Sequence, residues 1–247
     1  MNYDIARPDS AYHSVFTLHV PVHGAPVSLS GGRRKDMKLE KFVLPNRDDF
    51  GRDPFGYSAL AWHKWGVAST LAGFPVDLSR PPTSQDLKNP VLWLTQAHAM
   101  SEAAKILIQN QPELSHLPNS LKGLCDCQYC AVALMLIGYS LEICLKGMLI
   151  IKKGIDVYES EKKKHQHHRI EKLAEFLPDL SAKDKAILQI LTHFVLWAGR
   201  YPDPGSGREG NAEEIFRVSE KHQIAAKDLF RLAARVMGYA KQVSESL

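Results

Sequence analysis

The sequence predicts a mainly α-helical protein, an antiparallel helical bundle preceded by a partly β, loop-rich N-terminal arm. From about residue 90 onward, apolar side chains recur at three- and four-residue spacing through five stretches separated by Pro- or Gly-containing joints. One stretch, Ala131 to Ile151, is apolar almost all the way round, as a helix buried by its neighbours must be. The first third lacks this periodicity and is punctuated by Gly and Pro.

Taken in chain order, Tyr12 to Val22 alternates and is rich in β-branched residues, and His23 to Pro26 makes a turn before Val27 to Ser30. A short β-hairpin is expected there. Residues 31–56, rich in Gly, Arg, Asp and Pro, read as a surface excursion with little regular structure. A helix is expected from about Tyr57, because Leu60, Ala61, Trp65, Ala68 and Leu71 share helical spacing, and Gly73-Phe74-Pro75 ends it. The punctuated stretch Pro75 to Pro90 separates an arm, 1–89, from a bundle, 90–247. Within the bundle, helices are expected over about 91–109, 126–152, 168–177, 181–199 and 212–244. The joints contain Pro112, Pro118, Gly154, Pro178 and Pro202 to Gly205, and connections this short favour antiparallel neighbours.

Composition narrows the classes. With 247 residues, 45% hydrophobic and 23% charged, the chain is neither collagen-like, nor disordered, nor a disulfide scaffold. The net charge of +4, from 31 Lys+Arg against 27 Asp+Glu, is too small for a protein that coats nucleic acid without specificity, and no segment forms a basic tail. Any anionic partner must be held locally. Met1 to Asp4 has no basic stretch leading into an apolar core, so a cytoplasmic location is expected, with Cys125, Cys127, Cys130 and Cys144 as reduced thiols. The apolar run 131–151 has nearly the length of a membrane span. Glu142 and Lys146 in its middle, with no second span to bury them, argue for a core helix and against membrane insertion.

Those two charges are also the first candidates for chemistry. Glu142 and Lys146 are four apart on one helix face, with the acid on the N-terminal side, and Tyr139 lies one turn earlier. They form either a mutually satisfied buried salt bridge or a polar group facing a cleft or a partner subunit. Lys162, Lys163 and Lys164, followed by His165, His167, His168 and Arg169, read either as a solvated loop or as phosphate contacts. Arg200 falls near a helix end, since Tyr201 precedes Pro202 and is biased away from helix. It either caps that helix or reaches an anion from the loop. Cys125, Cys127 and Cys130 offer three soft ligands for zinc, with His116 or Cys144 as a fourth. The second spaced pair usual in structural sites is missing, however, and Cys144 lies about four turns from Cys130. No phosphate-binding loop, dinucleotide fingerprint, nucleophile elbow or His-Glu-x-x-His zinc motif is present, and no cofactor or metal is expected.

The order of these marks resembles the HEPN superfamily of small helical bundles found in toxin–antitoxin, CRISPR-associated and phage-defence proteins. The resemblance runs over about 91–245. It is carried by Gly138-Tyr139-Ser140-Leu141-Glu142-Ile143-Cys144-Leu145-Lys146-Gly147, by the short helix opened by His168 with Leu173 following, and by Trp197-Ala198-Gly199-Arg200-Tyr201-Pro202. It implies a metal-independent ribonuclease, usually a homodimer, that uses an Arg-x4-6-His motif at the dimer interface. Histidine serves as acid/base, and arginine stabilises the phosphorane charge. Carried over, Arg200 matches the motif arginine and Glu142 the supporting polar residue. Lys162, Lys163, Lys164 and Arg169 become RNA contacts, and Tyr139, Lys146, His168 and Tyr201 line the cleft. An antitoxin or other protein partner is implied as well. The positions where the motif histidine would fall are Gly205, Ser206 and Gly207. Arg217 with His222 fits the spacing and is the alternative catalytic pair, though chance supplies such matches as often as they occur here. A non-catalytic HEPN-like binding or dimerisation module is the alternative function.

Overall fold

The computed structural model describes residues 39–245, and every regular element among them is helical. The hairpin expected over 12–30 lies outside the described residues. The chain forms two compact units that part between Leu92 and Trp93.

In the smaller unit, residues 39–59 are not the irregular excursion that their composition suggests. They form three short helices, α1 (Leu39–Val43), α2 (Arg47–Arg52) and α3 (Pro54–Ala59), followed by α4 (Ala61–Leu71). Asn46 accepts the amide N–H of Asp48, and Asp53 accepts that of Gly56 with Pro54 at the first helical position. The Asn, Asp and Pro that resemble loop residues are therefore closely spaced helix starts. Leu60 breaks the chain between α3 and α4, so the single helix expected from Tyr57 is two. Leu78 packs on Gly66, where a Cβ would come within 2.5 Å of it.

The larger unit is built around one helix. After α5 (Pro90–Gln109) comes α6 (Asn119–Lys153), 35 residues long, which starts two turns before the expected residue 126. The side chains of Leu141, Cys144, Leu145 and Met148 are fully buried in it. Among the described residues α6 alone is long and apolar enough to cross a membrane, and most of its apolar stretch is buried within the bundle. Two neighbours run antiparallel to it. Against α5, the Ser140 hydroxyl donates to the Ala97 carbonyl at 2.8 Å, and Gly147 lies under Trp93 and Leu94. Against α10 (Ala182–His193), Gly138 faces Leu191 and Val195, and Gly199 faces Ala131 and Met135. The last helix, α12 (Ala226–Glu245), also packs on α6.

Between α6 and α10 the chain makes three small helices, α7 (Ile155–Ser160), α8 (Lys162–His165) and α9 (Ile170–Leu173). The lysine run is thus a helical turn and not a loop, while the helix expected over 168–177 shrinks to one turn. α10 opens with a reciprocal cap between Ser181 and Asp184. At its end the hydrogen bonding widens to a π turn over Phe194–Ala198, closed by the Gly199 N–H on the Phe194 carbonyl at 3.1 Å. The helix expected over 212–244 is two, α11 (Asn211–His222) and α12, divided at Gln223 with φ +46°. No Gly or Pro marks that break. It is held by the Lys183 ammonium, which donates to the Gln223 carbonyl and pairs with Asp228 at the start of α12.

Candidate functional site

The polar centre of the larger unit lies on the face of α6. Glu142 is 4% exposed, and its Oε1 accepts from Lys146 Nζ at 2.7 Å. The imidazole of His168, 26 residues further on, closes over the same carboxylate, with Nδ1 3.1 Å from Oε1 and 3.0 Å from Oε2. Tyr139 meets the His168 ring edge to face, with centroids 6.2 Å apart. An ionised carboxylate only accepts, so Nδ1 carries the proton, and in the neutral ring Nε2 is left with its lone pair. His168 is half exposed while Glu142 is sealed, so the pair joins a solvent-facing imidazole to a buried carboxylate.

The segment that carries His168 is fixed on its other side too. The Arg169 N–H donates to His167 Nδ1, and the Ile170 N–H donates to the buried Thr192 hydroxyl on α10. Thr192 also hydrogen-bonds Glu171, whose other carboxylate oxygen pairs with Arg169 Nε at 3.1 Å. Arg169 therefore projects beside His168 with its guanidinium held by an acid that is itself anchored in the bundle. Glu171 and Thr192 were not among the sequence candidates. A hydroxyl within the largely apolar run Ile187 to Leu196, which also holds Gln189 and His193, was the only signal available.

A second cluster lies at the end of α6. Lys153 pairs with Glu161 at 2.5 Å and Lys164 pairs with it at 2.8 Å, and these two hydrogen bonds hold the Glu161 carboxyl down at about 2. Lys162 and Lys163 are exposed and have no side-chain partner among the described residues. His165 is buried, stacked on Tyr158 at 5.3 Å, and its pKa is lowered, first by burial and then by the Lys153 charge. Burial pushes the Tyr158 phenol up to about 12, and the charges of Glu159 and Glu142 add to this.

The remaining candidates lie apart from the dyad. Arg200 Nη2 donates to the Leu196 carbonyl at 2.7 Å, and its guanidinium lies over the exposed Tyr201 ring, 5.5 Å from the centroid. It is a helix cap. Arg217 and His222 lie on α11, which buries none of its side chains, and neither has a side-chain partner among the described residues. No hydrogen bond or ion pair among the described residues joins Arg200, Arg217 or His222 to Glu142. α11 is tied to α10 through Glu214, which accepts from Gln189 at 2.8 Å and lies 3.6 Å from His193.

Cys125 is half buried, and Cys127 and Cys130 are exposed along the outer turns of α6, while Cys144 is buried. Burial, Asp126 and Cys127 raise the Cys130 thiol. Among the described residues no group of three or more His, Cys, Asp or Glu side chains converges as a metal site would require. The smaller unit has a cavity of about 270 Å³ lined in part by Phe42, Arg52, Asp53, Tyr57 and Lys64, with the Lys64 ammonium 3.8 Å from the Tyr57 ring centroid. No family model, curated protein or solved structure matches the chain.

Proposed function

We propose that this chain is a HEPN-like helical protein that acts in the cytoplasm as a metal-independent endoribonuclease, with His168 as its acid/base group. The observation that carries this reading is the Glu142 carboxylate, which accepts His168 Nδ1 on both oxygens and leaves Nε2 outward. In RNA cleavage, Nε2 takes the proton of the 2′-hydroxyl as that oxygen attacks phosphorus. The imidazolium then returns a proton to the departing 5′-oxygen as the P–O5′ bond breaks. Glu142 keeps the ring in the right tautomer throughout and stabilises its charged form. Lys162 and Lys163, together with Arg169 held in place by Glu171, are the cations that meet phosphates on either side of the scissile bond. The working unit is a homodimer, and an antitoxin or other protein partner regulates it.

A second reading, a non-catalytic HEPN-like binding or dimerisation module, is favoured by Arg200. Its hydrogen bond to Leu196 and the Gly205-Ser206-Gly207 that follow leave the family's arginine–histidine motif without its two members. The test is incubation of the purified chain with end-labelled single-stranded RNA in EDTA between pH 5 and pH 9. Products ending in a 2′,3′-cyclic phosphate support the first reading. Intact RNA throughout this range, with RNA or a protein co-purifying, supports the second.

A further inference from the structure

We infer that Cys127 and Cys130 form a two-sulfur site for a soft monovalent d10 cation, Cu(I), on the outer turns of α6. The two residues are three apart in one helix, so their side chains lie about 60° apart round its axis, with Cβ atoms about 5–6 Å apart. Both are exposed, and neither is in a disulfide. Cys125 lies about 140–160° away from them round the same axis, and Cys144 is buried, so neither joins the pair. About 18 Å of helix separates Cys130 from Glu142, which keeps this site apart from His168 and its carboxylate.

The spacing decides what the pair can hold. A disulfide needs Cβ atoms about 3.5–4.5 Å apart, closer than one helical turn brings them. A structural zinc ion needs four protein ligands, and among the described residues no group of three His, Cys, Asp or Glu side chains converges. Cu(I) is satisfied by two thiolates in line, and thiolate is the ligand type that selects it. Sulfurs turned towards each other from Cβ atoms at this spacing leave room for one such ion between them. Charge points the same way. The groups that act electrostatically on the Cys130 sulfur are Asp126 and Cys127, both negative when ionised. Redox-active thiols sit beside positive charge, whereas an electronegative pair is a seat for a cation. Binding turns two thiols and one Cu(I) into an S–Cu–S anion and releases two protons, with no change in oxidation state.

The experiment titrates the full-length chain, reduced and free of oxygen, with Cu(I) held by bicinchoninate. Uptake is read from the loss of the chelate's colour and the rise of thiolate-to-copper absorption in the ultraviolet. The wild type is expected to take one equivalent per chain. Cys127→Ser and Cys130→Ser are each expected to take none against the same chelator, and Cys125→Ser to match the wild type. Both clamp positions are exposed, so neither substitution disturbs the bundle, which circular dichroism checks. Gly123 lies one turn before Cys127, and a Cβ there meets nothing within 4 Å. Adding Gly123→Cys to Cys130→Ser therefore rebuilds a pair one turn apart and is expected to restore uptake. Absence of uptake by the wild type overturns the inference, as does uptake that survives Cys127→Ser. Loss in Cys125→Ser, half an equivalent per chain, or failure of Gly123→Cys to restore binding overturns the one-turn clamp as well.

Discussion

Glu142 shows why a charge inside an apolar helix repays attention. Burying an ion pair gains little stability over a well-packed apolar pair, but removing one partner strands the other. The double variant Glu142→Leu/Lys146→Met is therefore expected to melt at or above the wild-type temperature while RNA cleavage is lost. A fall in melting temperature of more than about 8 °C, roughly 2–4 kcal/mol in a chain of this size, would instead make the pair a structural necessity. His165 supplies a separate pH dependence. Its folded pKa lies below the unfolded value near 6.5, so the unfolded chain binds the proton more readily. Its contribution to stability is complete above pH 6.5 and declines as pH falls from there toward the folded value. Thermal melts of the wild type should lose stability over that window, and His165→Phe should flatten this part of the profile. The sequence marks Glu142, Lys146 and Tyr139 because polar groups stand out in an apolar run. It is silent on the partnership of Glu142 with His168, which depends on how α7 to α9 fold the chain back over 26 residues. Arg200, the residue on which the motif resemblance leaned most, is occupied by the carbonyl of its own helix.

Among the helices, the crossing of α6 with α10 and its π turn sets where Thr192 and His168 lie. Two glycines allow it. A Cβ on Gly199 would come within 2.3 Å of Met135 Cβ and 2.9 Å of the Ala131 carbonyl, and one on Gly138 within 2.6 Å of Val195. Gly199→Ala is expected to cost about 1–3 kcal/mol by overpacking, measured by urea denaturation. Gly123→Ala, on the outer turns of α6 with nothing within 4 Å, is expected to stabilise by roughly 0.5–1 kcal/mol. Equal effects at the two positions would mean that the crossing is loosely packed. Helix existence was legible along most of this unit, because α5, α6 and α10 carry strong apolar patterns. The break at Gln223 was not, because a left-handed Gln held by Lys183 leaves no mark in local composition. The short helices of 39–59 were hidden for a related reason, since capping residues and loop residues are the same residue types.

The molecule as a whole combines a small net charge with a few placed cations. If Lys162, Lys163 and Arg169 are the phosphate contacts, the logarithm of the RNA binding constant should fall against the logarithm of salt concentration with a slope of about −2. A slope several times steeper would point to a diffuse basic surface that the charge distribution does not supply. The buried Glu142 has meaning only within this architecture, in which a long central helix is wrapped by its neighbours and opened to solvent at one imidazole. The most direct measurement is the single-turnover rate of RNA cleavage in EDTA for the wild type, His168→Ala and Arg200→Ala. His168→Ala is expected to lose about 10²–10⁴-fold in rate and Arg200→Ala to stay within a few-fold of wild type. Full activity in His168→Ala, with loss in Arg200→Ala, would contradict it.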